Sequence, residues 1–292
     1  MKEKTLKSWE DFEQILTEIE KDTKKLREEQ QASRVSEPLF RGVSNSEYHL
    51  ESTLDRIQKE MSVDQYNKII KIVRKHVETC TGKKWELSKK IFFEKGLESS
   101  EYEFMAHLRH NGFPSPLIDW TKSPYIAAFF AFRDIYSETN HKTNDVFRAE
   151  CPVLRDIKKY ASIFVYREYC GMSKEWCGKE PRIHTIGPTI ATDRKHYLQQ
   201  GEYSFCVKPK NETGEWIFAN HESIPFYEDK QQNDLIKYNI PVSEQSRVLG
   251  KLDSMNITAY SLFGSESSLM ETLAMREICF EIWDRVLDSK NE

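Results

Sequence analysis

Arg41, in Phe40-Arg41-Gly42, follows two apolar residues and precedes a glycine. A guanidinium in that place offers planar, paired donors to a phosphate or carboxylate and stays charged at every working pH. Asp119 lies within Leu117-Ile118-Asp119-Trp120, an apolar run in which a carboxylate must be paired or hydrogen-bonded. The hydroxyls of Thr121 and Ser123 follow it directly. Glu202, in Gln199-Gln200-Gly201-Glu202-Tyr203, is a second carboxylate, suited to stabilising positive charge as it develops in a reaction. His107 and His110 have the spacing of helical metal ligands, but no third ligand accompanies them, so no metal site is expected. His110 reads instead as a polar brace beside a cleft. Nucleophile-elbow, P-loop and G-x-G-x-x-G signatures are absent. Structural readings stay open: Arg41 paired with Asp119 or Glu51, Trp120 in the core, and Thr121 and Ser123 as helix caps.

These residues need elements to position them. Ser8, with Asp11 three residues on and Trp9, Phe12, Ile15, Leu16 and Ile19 at helical spacing, predicts an N-terminal amphipathic helix. Residues 62–80 repeat the pattern, with a basic outer face. Glu101 to His110 predicts a helix stopped at Asn111-Gly112. Leu117 to Trp120 predicts a short buried strand, Ser123-Pro124 a cap and first turn, and residues 125–136 a mostly buried helix. Further strands are expected at 162–166, 183–186, 203–207, 216–218 and 235–240, and helices at 244–255 and 270–286. Residues 139–160 read as an exposed loop. The division is an N-terminal helical extension over 1–35, an α+β domain over 36–265, and a C-terminal helix over 266–292 packed on that domain.

Composition sets limits. The 43 Lys and Arg against 47 Asp and Glu leave a net charge of −4, so no global field draws the chain to nucleic acid or anionic lipid. The charge is segregated, however. Residues 68–95 hold nine bases against three acids, and residues 215–292 hold 14 acids against seven bases. Such a basic run fits a solvated face, a nucleic-acid track or an acidic partner. Six scattered cysteines without a C-x-x-C, and no signal segment, read as reduced thiols in a cytoplasmic protein. The longest apolar run, about eight residues at 125–132, is far below the roughly 20 that span a bilayer.

Phe40-Arg41-Gly42, Leu108-Arg109-His110-Asn111-Gly112-Phe113-Pro114, Leu117 to Thr121 with Ser123-Pro124 and Ala127 to Ala131, then Arg194 with Gln199-Gln200-Gly201 before Tyr203, resemble the successive motifs of the FRG-domain family over roughly residues 36–265. Ser115-Pro116 stands where that family usually has Thr-Arg, so the family's arginine has no counterpart here. A more distant similarity is to ADP-ribosyltransferases, in which an arginine ends one strand, a serine or threonine follows a second, and Gln-x-Glu opens a third. Arg41, Thr121 with Ser123, and Gln200-Gly201-Glu202 offer that order.

The similarity implies two small packed β-sheets surrounded by helices, and NAD as substrate. Arg41 would anchor the pyrophosphate and Gly42 would admit it closely. Thr121 or Ser123 would bond the nicotinamide ribose or hold the catalytic carboxylate, with the helix N-terminus at Ser123 adding positive potential. Asp119 and His110 would complete the cofactor site. Glu202 would be catalytic, Gln200 with Gln199 would orient the nucleophile, and Tyr203 or Tyr197 would stack on nicotinamide. The implied function is a toxin or anti-phage effector that modifies RNA, DNA or protein and is restrained by an antitoxin-like partner. The basic run 68–95 favours RNA. The alternative is a non-catalytic module that binds a nucleotide or a partner segment.

Overall fold

The computed structural model describes residues 1–29, 34–87, 99–133, 159–170, 181–186, 194–210, 215–223 and 234–280. Strand β1 (Lys2–Thr5) leads into helix α1 (Trp9–Glu29). The helix starts where expected: the Ser8 hydroxyl accepts from Asp11 N at 3.3 Å, and the Asp11 carboxylate accepts from Ser8 N at 3.2 Å. Strands β2 (Arg34–Val35) and β3 (Leu39–Val43) follow, then α2 (Val63–Thr81), capped by Ser62 and closed by Gly82 in the left-handed conformation. Next come α3 (Ser99–His110), β4 (Ile118–Thr121) and α4 (Pro124–Arg133). The second half holds β5 (Tyr160–Arg167), β6 (Tyr169–Cys170), β7 (Arg182–Ile186), α5 (Arg194–Leu198), β8 (Gly201–Pro209), β9 (Trp216–Phe218) and β10 (Asp234–Pro241). It closes with α6 (Gln245–Ser254), α7 (Ala259–Phe263) and α8 (Glu266–Ala274), the last running into a wider turn over Met275–Cys279.

The α+β class expected from the sequence is what forms. Among the described residues the main sheet has eight strands in the order β1-β10-β5-β3-β4-β8-β7, with β9 on β8; β2 and β6 make a separate two-stranded ribbon. Instead of two packed sheets there is one mixed sheet with a thin seam. Strand β3 pairs with β5 over five residues and β4 pairs with β8 over four, but β3 and β4 share only Phe40 with Thr121. Two half-sheets therefore meet at one residue pair. The first 35 residues are also more than helix, because β1 pairs in parallel with β10, Lys2 opposite Ile236.

Side-chain alternation sorts the core. On one face, Phe40, Ile163, Val165, Tyr238 and Ile240 pack under α1, α4 and α6, while Tyr203, Phe205 and Val207 pack under α2 and α3. The opposite face carries Leu39, Ile118, Trp120, Phe164, Tyr166 and Cys206 with Leu50 and Ala219. The helix expected at 270–286 differs in its start. Thr258 with Ser261 and Ser265 with Ser268 each form a capping box, and Gly264 at φ 65° ends α7, so two short helices stand where hydrophobic spacing suggested a single later one. Residues 281–286 of that expectation, and 139–158 of the expected loop, lie outside the described residues.

Gly42 is where α4 touches β3. A Cβ built there would lie 1.8 Å from the Ala127 carbonyl oxygen, so the close approach that Gly42 permits is by helix backbone rather than by a ligand. Gly42→Ala is expected to destabilise the chain by about 3 kcal/mol or more, through overpacking against backbone that cannot yield. Gly250→Ala, inside α6 with nothing within 4 Å of the added carbon, is expected to stabilise by ~1 kcal/mol. Urea denaturation of both variants checks the contrast.

Candidate functional site

Where β3 and β4 part after their single pair, the Asp119 carbonyl has no strand partner, and Arg41 takes that place. Its Nη1 donates to the Asp119 carbonyl at 2.7 Å and lies 3.7 Å from the carboxylate Oδ2. Arg109, from the last turn of α3, grips the same carboxylate: Nε donates to both oxygens at 2.8 Å and Nη2 to Oδ2. Its Nη1 reaches the Thr53 hydroxyl at 3.2 Å, and that hydroxyl in turn accepts from Ser115 N at 3.0 Å. The Ser115-Pro116 departure thus anchors the loop at Thr53, with Ser115 fully buried. Glu51, the other partner considered for Arg41, pairs with Lys59 at 4.0 Å.

Two cations share one carboxylate, and the electrostatics follow. Burial alone would raise the Asp119 carboxyl. The Arg109 charge and hydrogen bonds, with the Arg41 charge behind them, outweigh it and hold Asp119 at about 2. Burial lowers Arg41 to about 10; Asp119 opposes that, while Arg109 and Arg56 add to it. Arg41 remains a cation at neutral pH in a site with surplus positive charge. Its Nε and Nη2 have no hydrogen-bond partner among the described residues, and its side chain is 20% exposed.

Thr121 and Ser123 spend their hydroxyls on backbone. Thr121 Oγ1 donates to the Gln199 carbonyl at 2.7 Å and accepts from Ser123 N at 3.1 Å, and Ser123 Oγ accepts from Ile126 N at 3.3 Å as the cap of α4. The capping reading describes Ser123, and Thr121 fastens the turn before β8. Gln199 directs its amide to the Leu262 carbonyl at 3.4 Å. Gln200, at φ 48°, makes the tight turn whose carbonyl accepts from Lys122 N at 3.1 Å.

His110 Nε2 lies 2.6 Å from the Tyr203 hydroxyl. The Tyr203 ring is fully buried and covered by His196, stacked at 4.6 Å and 6°, so it is not free to stack on nicotinamide. Tyr197, the other candidate, is 83% exposed. Gly201 has no Cβ because His196 fills that space, 2.4 Å from where the carbon would stand. His107 lies against Trp85 at 4.8 Å, away from His110's partner.

Glu202 is opposite Trp120 in the β4–β8 register, and Tyr203 is opposite Asp119. Directly paired residues share a face, so Glu202 lies on the Trp120 face and Asp119 on the other. Arg41 alternates with Leu39, which packs in the same cluster as Trp120, and it pairs with Phe164 of that cluster, so its Cβ leaves the sheet on the Trp120 face. Arg41 and Glu202 thus leave the sheet on the same face as Trp120. Glu202 Oε1 is 2.7 Å from Lys122 Nζ. Beneath them, Trp120 Nε1 donates to Ser204 Oγ at 2.7 Å, and Ser204 Oγ lies 2.7 Å from His221 Nε2. Burial, and then the Arg41 charge, push His221 down to about 3, so it is neutral.

The reading from residue types overlooked Arg109, Lys122 and His221 as parts of the site. Arg109 and Lys122 stand inside the two motif blocks, which was the available signal; nothing near His221 in the sequence marks it. A small pocket opens away from this region, lined by Phe129, Leu249, Ile257 and Met275. Its charged groups are matched, Arg133 with Glu271 and Arg276 with Asp253. On α2, Lys71 and Lys75 are exposed, as are Lys83 and Lys84 beyond it. Arg74 instead donates to the Trp85 carbonyl at 2.9 Å, and Lys89 and Lys90 lie outside the described residues. Among the described residues no helix is long and apolar enough to cross a membrane.

A family model described as the FRG domain matches residues 36–140, the span that holds Arg41, Arg109, His110, Asp119 and Lys122. No curated protein and no solved structure matches the chain.

Asp119 has a folded-state value of about 2 against an ordinary 3.8, so its contribution to stability is present above pH 3.8 and is lost as pH falls toward 2. Asp119→Asn is therefore expected to be less stable than the parent at pH 7, with the gap shrinking between pH 4 and pH 2. Denaturation midpoints across that range check it.

Proposed function

We propose that the sheet face bearing Arg41 and Glu202 binds NAD and transfers its ADP-ribose to an acceptor. One observation supports the reading: the strands bearing Arg41, Thr121 and Glu202 are neighbours in the order β3-β4-β8, and Arg41 and Glu202 leave the sheet on one face. Arg41 supplies open donors and positive charge to a pyrophosphate. Arg109 and Asp119 act on Arg41 by orienting it. In the reaction the bond between ribose C1 and the nicotinamide nitrogen breaks, and its electron pair leaves with nicotinamide. Positive charge builds on the ribose, where the Glu202 carboxylate stabilises it. The acceptor then bonds to C1 and gives up a proton. An enzyme of this kind acts as a toxin or defence effector, and needs a restraining partner inside the cell that makes it.

Incubation with labelled NAD and candidate RNA, DNA and protein tests the reading: label on an acceptor, or released nicotinamide, supports it. The clamp of Arg41 on Asp119 favours the second reading, a binding module without turnover, for which NAD would bind and remain intact. Arg41→Ala is expected to abolish NAD binding and, because it also opens the clamp on Asp119, to lower the melting temperature by several degrees while the chain stays folded at room temperature. Glu202→Gln is expected to lower the rate by ~10²-fold or more.

For the acceptor, the exposed Lys71, Lys75, Lys83 and Lys84 favour RNA or DNA. Reversing their charges should weaken nucleic-acid binding and flatten its salt dependence while leaving NAD affinity unchanged. Labelling confined to protein, or an unaltered salt slope, removes nucleic acid as the acceptor.

A further inference from the structure

Glu202 sees little water. Its side chain is 10% exposed, and among the described residues Lys122 is its one ion-pair partner, with a side chain 42% exposed. The main chain around both is fixed: Lys122 N donates to the Gln200 carbonyl at 3.1 Å, Thr121 is paired with Gly201, and Trp120 with Glu202. What remains adjustable is the four-carbon stem of the lysine, which carries a compact, rotatable charge. An ammonium on the carboxylate cancels the field that a developing cation would feel from it. Arg41 and Glu202 lie on strands that both neighbour β4, and Lys122, in the bend just after β4, reaches Glu202 on the Trp120 face with its ammonium at 2.7 Å.

We propose that Lys122 is a positioning residue that neutralises Glu202 in the unliganded chain and moves its ammonium to the pyrophosphate of the incoming dinucleotide, leaving Glu202 bare beside the ribose. This rests on the reading of that sheet face as an NAD site. Substrate and carboxylate then compete for one cation, so the carboxylate gains its full field only when the anion is present. Free enzyme is thereby held back from stabilising stray cations.

Equilibrium binding to the full chain tests the exchange without reference to turnover. Glu202→Gln frees Lys122, so this variant is expected to bind NAD ~5- to 10-fold more tightly than the parent, within the ordinary range of coupling between sites. Lys122→Met is expected to bind NAD ~10-fold more weakly, Lys122→Arg to recover most of that loss, and the Lys122→Met/Glu202→Gln double variant to lose the gain. ADP-ribose, which keeps the pyrophosphate, should follow the same pattern. Nicotinamide riboside, a cation with no phosphate, should show neither the gain in Glu202→Gln nor the loss in Lys122→Met. If the parent binds NAD and Glu202→Gln binds it no more tightly, or the gain survives in the double variant, the exchange is wrong and the NAD site stands. If the parent binds none of the three ligands, the NAD site itself is wrong.

Discussion

The shared carboxylate of Asp119 holds the two halves of the sheet in working relation. Strands β3 and β4 make a single residue pair, and a sheet joined so thinly can twist open at that point. Arg41 from one half and Arg109 from α3 converge on Asp119 in the other half, so one anion ties β3, β4 and α3 together. Such a clamp works because each member satisfies another: either guanidinium without the carboxylate would be a poorly solvated cation, and the carboxylate alone would be expensive to place in an apolar strand. The Thr53 hydroxyl, which accepts from Arg109 and from Ser115 N, extends the tie into the loop before α2.

Around that clamp the polar residues divide their work by sheet face. Thr121, Ser123, Gln199 and Gln200 shape the turns that end β4 and begin β8. Tyr203, His110 and His196 form a stacked and hydrogen-bonded plug on the Asp119 side. The Trp120 side keeps Arg41, Lys122 and Glu202, the groups whose charges are not all spent on backbone. One apolar residue on that side, Trp120, is fixed through Ser204 to His221.

Local chemistry was well marked in the sequence. Ser8 with Asp11 and the Asn111-Gly112 stop marked helix ends that the structure has, because caps act within a turn of the chain. The strand-turn-helix unit at 118–133 was legible for the same reason. Parity across strands was not. Whether Glu202 shares a face with Arg41 or with Asp119 depends on two pairing registers that no local pattern encodes, and the burial of Tyr203 depends on His196, which occupies the space left by Gly201. Strand β1 was missed because Lys2-Glu3-Lys4-Thr5 has no apolar alternation; all four residues are exposed, and only main-chain pairing with β10 makes them a strand. Lys122 was overlooked because a lysine between two hydroxyl residues reads as a solvated turn until Glu202 is placed opposite it.

The parallel pairing of β1 with β10 sets an order of events during synthesis. Lys2 pairs with Ile236, so β1 waits for a partner made more than two hundred residues later. At roughly 5–20 residues per second that interval is on the order of ten to fifty seconds. Through it the strand's charged side chains keep an unpaired edge from recruiting other chains. Strand β1 is therefore fastened into the sheet only once every residue between it and β10 exists.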